Sequence, residues 1–135
     1  MTDSFRDNGA CFVCGSGNSS GINLAFKLDP ENDGARAHVI FPARFQGWEG
    51  VVHGGLLAAV LDEAMIKAGQ AKGIACITAE ITVRFKKPAL IGQEYLIKGR
   101  IIEDKGKFIL ADSEALDPAG TPVACARGKL FVVRV

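Results

Sequence analysis

Residues 54–70, which read GGLLAAVLDEAMIKAGQ, are the stretch of the chain that decides its fold. Drawn as a helix, this stretch carries Leu, Ala and Met around most of its circumference, and Gly69 marks its end. A helix that is apolar nearly all round has to be covered on most sides to be stable in water. We therefore predict one long helix that is wrapped by other elements rather than laid on a surface.

The sequence on both sides of this helix alternates with the period of a β-strand. From Ile77 to Phe85 apolar and polar residues alternate, which is typical of a strand with one buried face. The same signals predict five further strands, in residues 23–28, 35–41, 94–103, 107–116 and 121–133. Short turns join the later strands, which favours antiparallel pairing. The predicted fold class is α+β, with an antiparallel sheet around the helix.

Length and composition predict one globular domain over residues 1–135. Of these 135 residues, 48% are hydrophobic, which suits a single buried core. The 16 basic and 15 acidic residues leave a net charge of +1. The chain therefore offers no strong positive field that would hold a nucleic acid or an anionic membrane. Residues 1–20 predict a loose leader without a signal peptide's apolar core, and no stretch is apolar enough to span a membrane. We expect a cytoplasmic protein.

Asp62 is the most unusual ionisable residue of the predicted helix. Its neighbours three and four positions away are all apolar, namely Ala58, Ala59, Met65 and Ile66. Either Asp62 reaches solvent or a cation at the helix edge, or it is a functional acid whose pKa an apolar cleft raises. We favour the functional acid, because an isolated buried carboxylate is costly. Glu63 is the second candidate acid, but it precedes Lys67 by four positions, the favourable order for an exposed ion pair.

The helix is preceded by His53, Gly54 and Gly55. Glycines let another molecule's backbone approach, and the free N–H groups of a helix start suit a polarised carbonyl. Alternatively, the two glycines only allow a tight turn into the helix. His53 and Asp62 are nine residues apart, which puts them half a turn out of phase and roughly 13 Å apart along the axis. If both act on one substrate, the second must therefore come from another copy related by a two-fold axis.

These residues resemble the phenylacetate-degradation type of hotdog-fold acyl-CoA thioesterase. The matching segments are His53-Gly54-Gly55 with Asp62, residues 78–88 (TAEITVRFKKP), residues 11–15 (CFVCG) and residues 46–50 (QGWEG). The similarity extends over residues 11–133. It implies a curved antiparallel sheet wrapped around the helix, homodimers that often pair into tetramers, acyl-CoA substrates, and neither a metal nor a redox cofactor.

The resemblance also implies roles for single residues. Gly55 would donate its N–H to the thioester carbonyl, and Asp62 of a partner chain would act as general base or as nucleophile. Thr78 would orient the attacking water, while His53 would hold the loop or help to position the thioester. The substrate-binding candidates are Gly54, Gln46, Trp48, Arg84, Lys86 and Lys87. Gln46 departs from the family pattern, because some relatives carry an Asn or Gln at the spacing that Gly47 occupies here.

Several of these candidates have a simpler structural explanation. Arg84 and Lys86 share a strand face and Lys87 opens the following turn, so they either meet the phosphates of coenzyme A or form a solvated edge that resists aggregation. Trp48 and Phe45 either line the acyl pocket or pack the loop before the helix.

The four cysteines predict free thiols, because disulfides are rare in cytosolic proteins. Cys11 and Cys14 form one Cys-x-x-Cys pair, but structural zinc normally has four ligands. Cys76 and Cys125 lie in strand-like runs far along the chain. We therefore expect a structural turn at Cys11 and no metal.

The predicted function is hydrolysis of an acyl-CoA thioester. One alternative is a hotdog enoyl-CoA hydratase or dehydratase, although the proline-rich stretch of such dehydratases is missing around His53. The other alternative is a non-catalytic acyl-CoA-binding protein, although regulators of that kind usually carry a DNA-binding segment.

Overall fold

The computed structural model describes residues 5–133, which form a six-stranded antiparallel sheet around one α-helix. In chain order the elements are β1 (Lys27–Asp29), β2 (Gly34–Ile40), α1 (Gly54–Ala71), β3 (Cys76–Phe85), β4 (Glu94–Asp104), β5 (Phe108–Leu116) and β6 (Pro122–Val132). Short 3-10 turns lie at Pro30–Asn32 and Ala43–Phe45. The strands lie in the order β1-β2-β4-β5-β6-β3, which makes β1 and β3 the sheet edges. The predicted α+β hotdog fold is confirmed.

Helix α1 is covered as its sequence predicts. Val60, Leu61, Ala64 and Met65 have no exposed surface, and they form the centre of the core between helix and sheet. The helix ends where Gly73 adopts a positive φ of 75°, a conformation that glycine reaches without a steric penalty. Within residues 5–133, no helix is long and apolar enough to cross a membrane.

The helix and the sheet touch through their backbones at β4. A side chain at Gly99 would collide with the carbonyl group of Ala64, so glycine at this position lets the two elements approach closely. One strand further along, the buried hydroxyl of Ser113 donates a hydrogen bond to the carbonyl oxygen of Leu61 at 2.8 Å. These contacts fix both the distance and the register of α1 on the sheet.

Strand β3 departs from the regular alternation that its sequence predicts. Its pairing with β6 shifts register between Thr78 and Glu80. Cys76 and Thr78 are half-buried before the shift, whereas Ile81 and Val83 are half-buried after it. In a regular strand Thr78 and Ile81 would face opposite sides, because side chains alternate. The bulge at this sheet edge turns both towards the helix.

Most predicted strand bounds agree with the structure to within one residue, but the first strand does not. The sequence predicts a strand over residues 23–28, yet β1 begins only at Lys27. Asn23 has a φ of 54°, in the left-handed region, so an extended strand does not continue through it.

The N-terminal leader is irregular as predicted, but it is not loose. The N–H groups of Ile22 and Leu24 donate to the carbonyl oxygens of Phe12 and Val13, both at 2.8 Å. Val13 and Leu24 are buried in the core. Apolar side chains within the polar leader therefore dock it onto the domain. Residues 1–4 of the predicted leader lie outside the described residues.

Candidate functional site

Asp62 on α1 meets Thr78 on β3. The threonine hydroxyl donates a hydrogen bond to Oδ1 of Asp62, with 2.5 Å between the oxygens. Burial raises the pKa of Asp62 above its ordinary value, the bond from Thr78 opposes this rise, and the charge of Glu63 adds to it. The carboxylate is therefore more basic than an ordinary aspartate, as general-base chemistry requires. Thr78 also corrects the expectation that Asp62 sees only apolar side chains.

Glu63 does not lie on a solvated face, and the predicted pairing with Lys67 is wrong. Its Oε1 accepts hydrogen bonds from the thiols of Cys14 at 3.1 Å and Cys11 at 3.5 Å. The ammonium of Lys67 donates instead to Gln70 at 3.2 Å. Burial, together with the bond to Glu63, raises the pKa of the Cys14 thiol to about 12. The leader covers this face of α1, which local spacing along the helix does not indicate.

The N-terminal end of α1 opens into a groove of about 810 Å³. Five of the residues predicted from sequence line it together: Trp48, His53, Gly54, Lys86 and Lys87. Trp48 is 86% exposed, whereas Phe45 is buried in the core. Trp48 thus lines the groove, whereas Phe45 belongs to the core and is not among the groove residues.

The N–H of Gly55 already has an acceptor in the structure. It donates to Nδ1 of His53 at 2.9 Å, so the imidazole acts as the N-cap of α1. A substrate carbonyl that binds this N–H has to share it with the imidazole or replace it. The sequence spacing alone does not reveal this capping role of His53.

Gln46 and Arg84, two further predicted substrate-binding residues, have different surroundings. Gln46 uses its side-chain oxygen to accept the N–H of Gly50 at 3.0 Å, which closes the loop before the helix. Arg84 lines a hollow with Arg127, on the sheet face away from the helix. Arg84 and Lys86, which the sequence predicts on one strand face, line different hollows, and Lys86 lies just beyond the end of β3 at Phe85.

Lys87 already has an ion-pair partner. Its ammonium forms an ion pair with Asp117 at 2.9 Å. That hydrogen bond holds the pKa of Asp117 below its ordinary value. Lys86, by contrast, is exposed at the rim of the groove.

The groove and the carboxylate are separate within one chain. Asp62 and Thr78 are not among the residues that line the groove beside His53. Gly55 is not among those lining residues either, although the preceding Gly54 is.

The free cysteines agree with the prediction from the sequence. Cys11, Cys14, Cys76 and Cys125 all carry free thiols. Cys11 and Cys14 gather with Glu63 so closely that one donor atom from each lies within 4.8 Å of the others. Sequence reasoning missed Glu63 as their neighbour, because 52 and 49 positions separate it from the two cysteines.

Comparisons with known proteins point to one family. A family model for the thioesterase superfamily matches residues 49–123, a stretch that holds the Asp62–Thr78 pair and all groove-lining residues except Gly47 and Trp48. Among solved structures, a thioesterase superfamily protein is similar with a TM-score of 0.85 at 24% identity, over 93% of this chain and 61% of that chain. The PaaI protein from the phenylacetic acid degradation operon of E. coli is similar with a TM-score of 0.76 at 20% identity, over 83% of this chain and 80% of that chain.

A third solved structure is a Streptococcus mutans UA159 protein bound to acetyl CoA, with a TM-score of 0.77 at 18% identity, over 83% of this chain and 90% of that chain. These structures show the shared fold, and the similarity to PaaI confirms the predicted resemblance at that level. A methylthioribose-1-phosphate isomerase from Aquifex aeolicus (strain VF5) is 37% identical over 59 residues, which are 44% of this chain and 12% of that protein.

Proposed function

Since this chain belongs to the thioesterase superfamily, we propose that it is an acyl-CoA thioesterase, which releases a carboxylic acid and coenzyme A. The observation that carries the proposal is the half-buried Asp62 carboxylate, which Thr78 orients and burial makes more basic. The acetyl CoA bound to the Streptococcus mutans neighbour supports coenzyme A thioesters as the substrate class.

We propose that two copies of the chain complete the active site. Strand β3 is an edge of the sheet, and it exposes the large apolar side chains of Ile77 and Phe85. A long apolar edge is a natural place for a second strand to pair, and two-fold dimers are the commonest oligomers. In an antiparallel pair of β3 strands, the end that carries Thr78 lies beside the end that carries Phe85 of the partner subunit. Since Phe85 lines the groove, Asp62 of one copy then meets the helix end of the other.

The proposed reaction is attack by water on the thioester carbonyl. Asp62 takes a proton from the water, while Thr78 holds the carboxylate in place. The water oxygen bonds to the carbonyl carbon, and the carbonyl oxygen accepts the N–H of Gly55 of the partner subunit, where it replaces the His53 imidazole. The carbon–sulfur bond then breaks, and the coenzyme A sulfur takes up the proton from Asp62.

The groove supplies the proposed binding contacts. Lys86 at the rim attracts the phosphates of coenzyme A, with Lys87 as a weaker contributor because Asp117 already pairs with it. Gly54 lets the substrate approach the helix end, and Trp48 contacts the acyl chain. Gln46 acts indirectly, since its side chain closes the loop that carries Trp48. Arg84 has no proposed role here, because it lines a different hollow.

A thiol-release screen over short, long and aromatic acyl-CoAs tests this function. We expect hydrolysis of at least one class, and a loss of about 10²-fold or more in Asp62→Asn with native circular dichroism. Asp112→Asn is the matched control, since Asp112 pairs with Arg100 away from the groove. No thiol release by the wild type would refute the thioesterase proposal, and undiminished release by Asp62→Asn would refute the role of Asp62. Hydration of an enoyl-CoA with its thioester intact would support the hydratase alternative.

We also propose that the protein works in the cytoplasm. Its four free thiols suit a reducing compartment. Fractionation of the native cells, with antibody detection of the chain, tests this location, and recovery outside the cytoplasmic fraction would contradict it.

A further inference from the structure

We propose that Cys11, Cys14 and Glu63 form a zinc-binding site that fastens the N-terminal segment to α1. Two thiol sulfurs and a carboxylate oxygen lie within 4.8 Å of one another. The two cysteines are 52 and 49 positions from Glu63, so the fold assembles this cluster rather than sequence proximity. All three residues are half-buried, on a face of α1 that the leader covers.

The distances suit tetrahedral zinc. Zinc–sulfur bonds of about 2.3 Å and zinc–oxygen bonds of about 2.0 Å place a sulfur and an oxygen ligand about 3.5 Å apart. The Cys11 sulfur lies 3.5 Å from Oε1 of Glu63, and the Cys14 sulfur lies 3.1 Å from it. Of these two distances, the one from Cys14 has to widen slightly to admit the ion.

The backbone at Cys11 is folded in a way that stabilises a thiolate. The N–H of Cys14 points at the Cys11 sulfur at 3.5 Å, and the N–H of Gly15 donates to the carbonyl oxygen of Cys11 at 2.9 Å. A side chain at Gly15 would collide with the backbone of Cys11, so this turn requires glycine. Backbone N–H groups that point at a sulfur favour the negative charge that a metal-bound thiolate carries.

Charge and access are also compatible with a divalent ion. A hollow of about 320 Å³ adjoins the cluster, with room for the ion to enter and for a water molecule as fourth ligand. When zinc binds, Cys11 and Cys14 each release their thiol proton, and no oxidation is involved. Two thiolates and one carboxylate leave the zinc complex with one net negative charge, which the ammonium of Lys67 in the same hollow offsets. Thiolate ligands favour zinc over magnesium or calcium.

The proposed zinc site is separate from the proposed catalytic pair. Asp62 turns towards Thr78, whereas the next residue, Glu63, turns towards the leader. Zinc therefore has a structural role in this proposal, which stands whether or not the chain hydrolyses thioesters.

Metal binding to the untagged full-length chain tests the proposal. The chain is stripped with a chelator and dialysed against zinc or cobalt(II). We expect one zinc per chain by metal mass spectrometry after gel filtration, a thiolate-to-cobalt charge-transfer band, and a higher Tm with zinc. Cys14→Ser and Glu63→Gln should bind at least tenfold more weakly, while Cys125→Ser on β6, away from the cluster, should bind as the wild type does.

Two results would overturn the zinc site. One is a wild-type chain that takes up no zinc and gives no charge-transfer band, a result that does not depend on how any variant folds. The other is equal binding by the folded double variant Cys11→Ser, Cys14→Ser, which would identify the metal as adventitious. Either result would leave Glu63 as a hydrogen-bond acceptor for two thiols.

Discussion

The hydroxyl of Thr78 on the edge strand donates to the carboxylate of Asp62 on the helix across 2.5 Å. Thr78 stands directly before the bulge at Glu80, after which the half-buried positions of the strand change phase. The hydroxyl gives the carboxylate a hydrogen-bond partner that carries no positive charge. Burial therefore affects the pKa of Asp62 more than this hydrogen bond does, and the pKa stays raised. The carboxylate is thus oriented and still basic, and both properties suit it to take a proton from water.

Loss of the Thr78 hydroxyl should shift the pH dependence of hydrolysis. The bond from Thr78 lowers the pKa of Asp62, so Thr78→Val raises that pKa further. Because the ionised carboxylate is the proposed base, the acid limb of the kcat/KM profile should move to higher pH. Thr78→Ser keeps the hydroxyl and should keep the wild-type limb. An acid limb that is the same in all three proteins would contradict this coupling.

Ionised Asp62 should destabilise the folded chain at neutral pH. Its folded pKa is raised above 3.8, so the folded chain holds the proton more tightly than the unfolded chain does. The free energy of unfolding therefore falls as the pH rises from about 3.8 through the folded pKa, and the ionised group stays unfavourable above it. Asp62→Asn should have a higher Tm at pH 7, and the difference should disappear in acid below the ordinary pKa. A Tm that is lower at neutral pH would contradict the prediction.

Two inactive variants should restore activity to each other if the site is shared. Gly55→Pro removes the N–H at a first-turn position where proline is tolerated, and Gly55→Ala is its control because alanine keeps the N–H. In a mixed dimer of Gly55→Pro with Asp62→Asn, one site keeps both native groups. Random mixing after joint refolding should restore about a quarter of the wild-type rate, since half of the dimers are mixed. Activity that never exceeds that of the separate variants would place both groups in one chain.

His53 should stabilise the start of α1 through its ring nitrogen. His53→Ala removes the acceptor for the N–H of Gly55, which should lower the free energy of unfolding by about 1 kcal/mol. His53→Asn offers a side-chain oxygen as acceptor in place of the ring nitrogen and should retain most of the stability. Urea denaturation of the three proteins measures this effect, and equal midpoints would show that the cap contributes nothing.

Gly99 should tolerate no side chain. Gly99→Ala places a methyl group against the backbone of Ala64, so the helix or the strand has to move, at a cost of about 1–3 kcal/mol. Lys98→Ala, at the exposed neighbouring position, should change stability by less than about 0.5 kcal/mol. Thermal denaturation compares the two variants. A Gly99→Ala protein as stable as the wild type would show that the contact can accommodate a methyl group.

The fold could be predicted because its periodic signals are long. The apolar helix and the strand-like runs after it extend over ten residues or more in most cases, so their bounds agree closely with the structure. The first strand was misplaced because the left-handed backbone at Asn23 depends on how the leader docks. The bulge in β3 leaves no mark in composition, since Ala79 fits the predicted alternation as well as it fits a bulge.

The candidate site could be predicted only in part. Asp62 and the residues before α1 stand out by local environment, and the structure adds that Thr78 contacts this carboxylate directly. Glu63 was misread because its apparent partner lies four positions away, whereas its actual neighbours lie about fifty positions away in the leader. Local spacing along one helix carries no information about a segment that returns from so far along the chain.

The tight seating of α1 at Gly99 limits how this protein can be re-engineered. Backbone contact at Gly99 leaves no gap between helix and strand, so a larger side chain there would displace α1 and, with it, Asp62. The loop that carries Trp48 has no such restraint at its tip, where the indole is almost fully exposed. A directed-evolution library aimed at new acyl preferences should therefore be concentrated in residues 46–52 and leave the helix untouched.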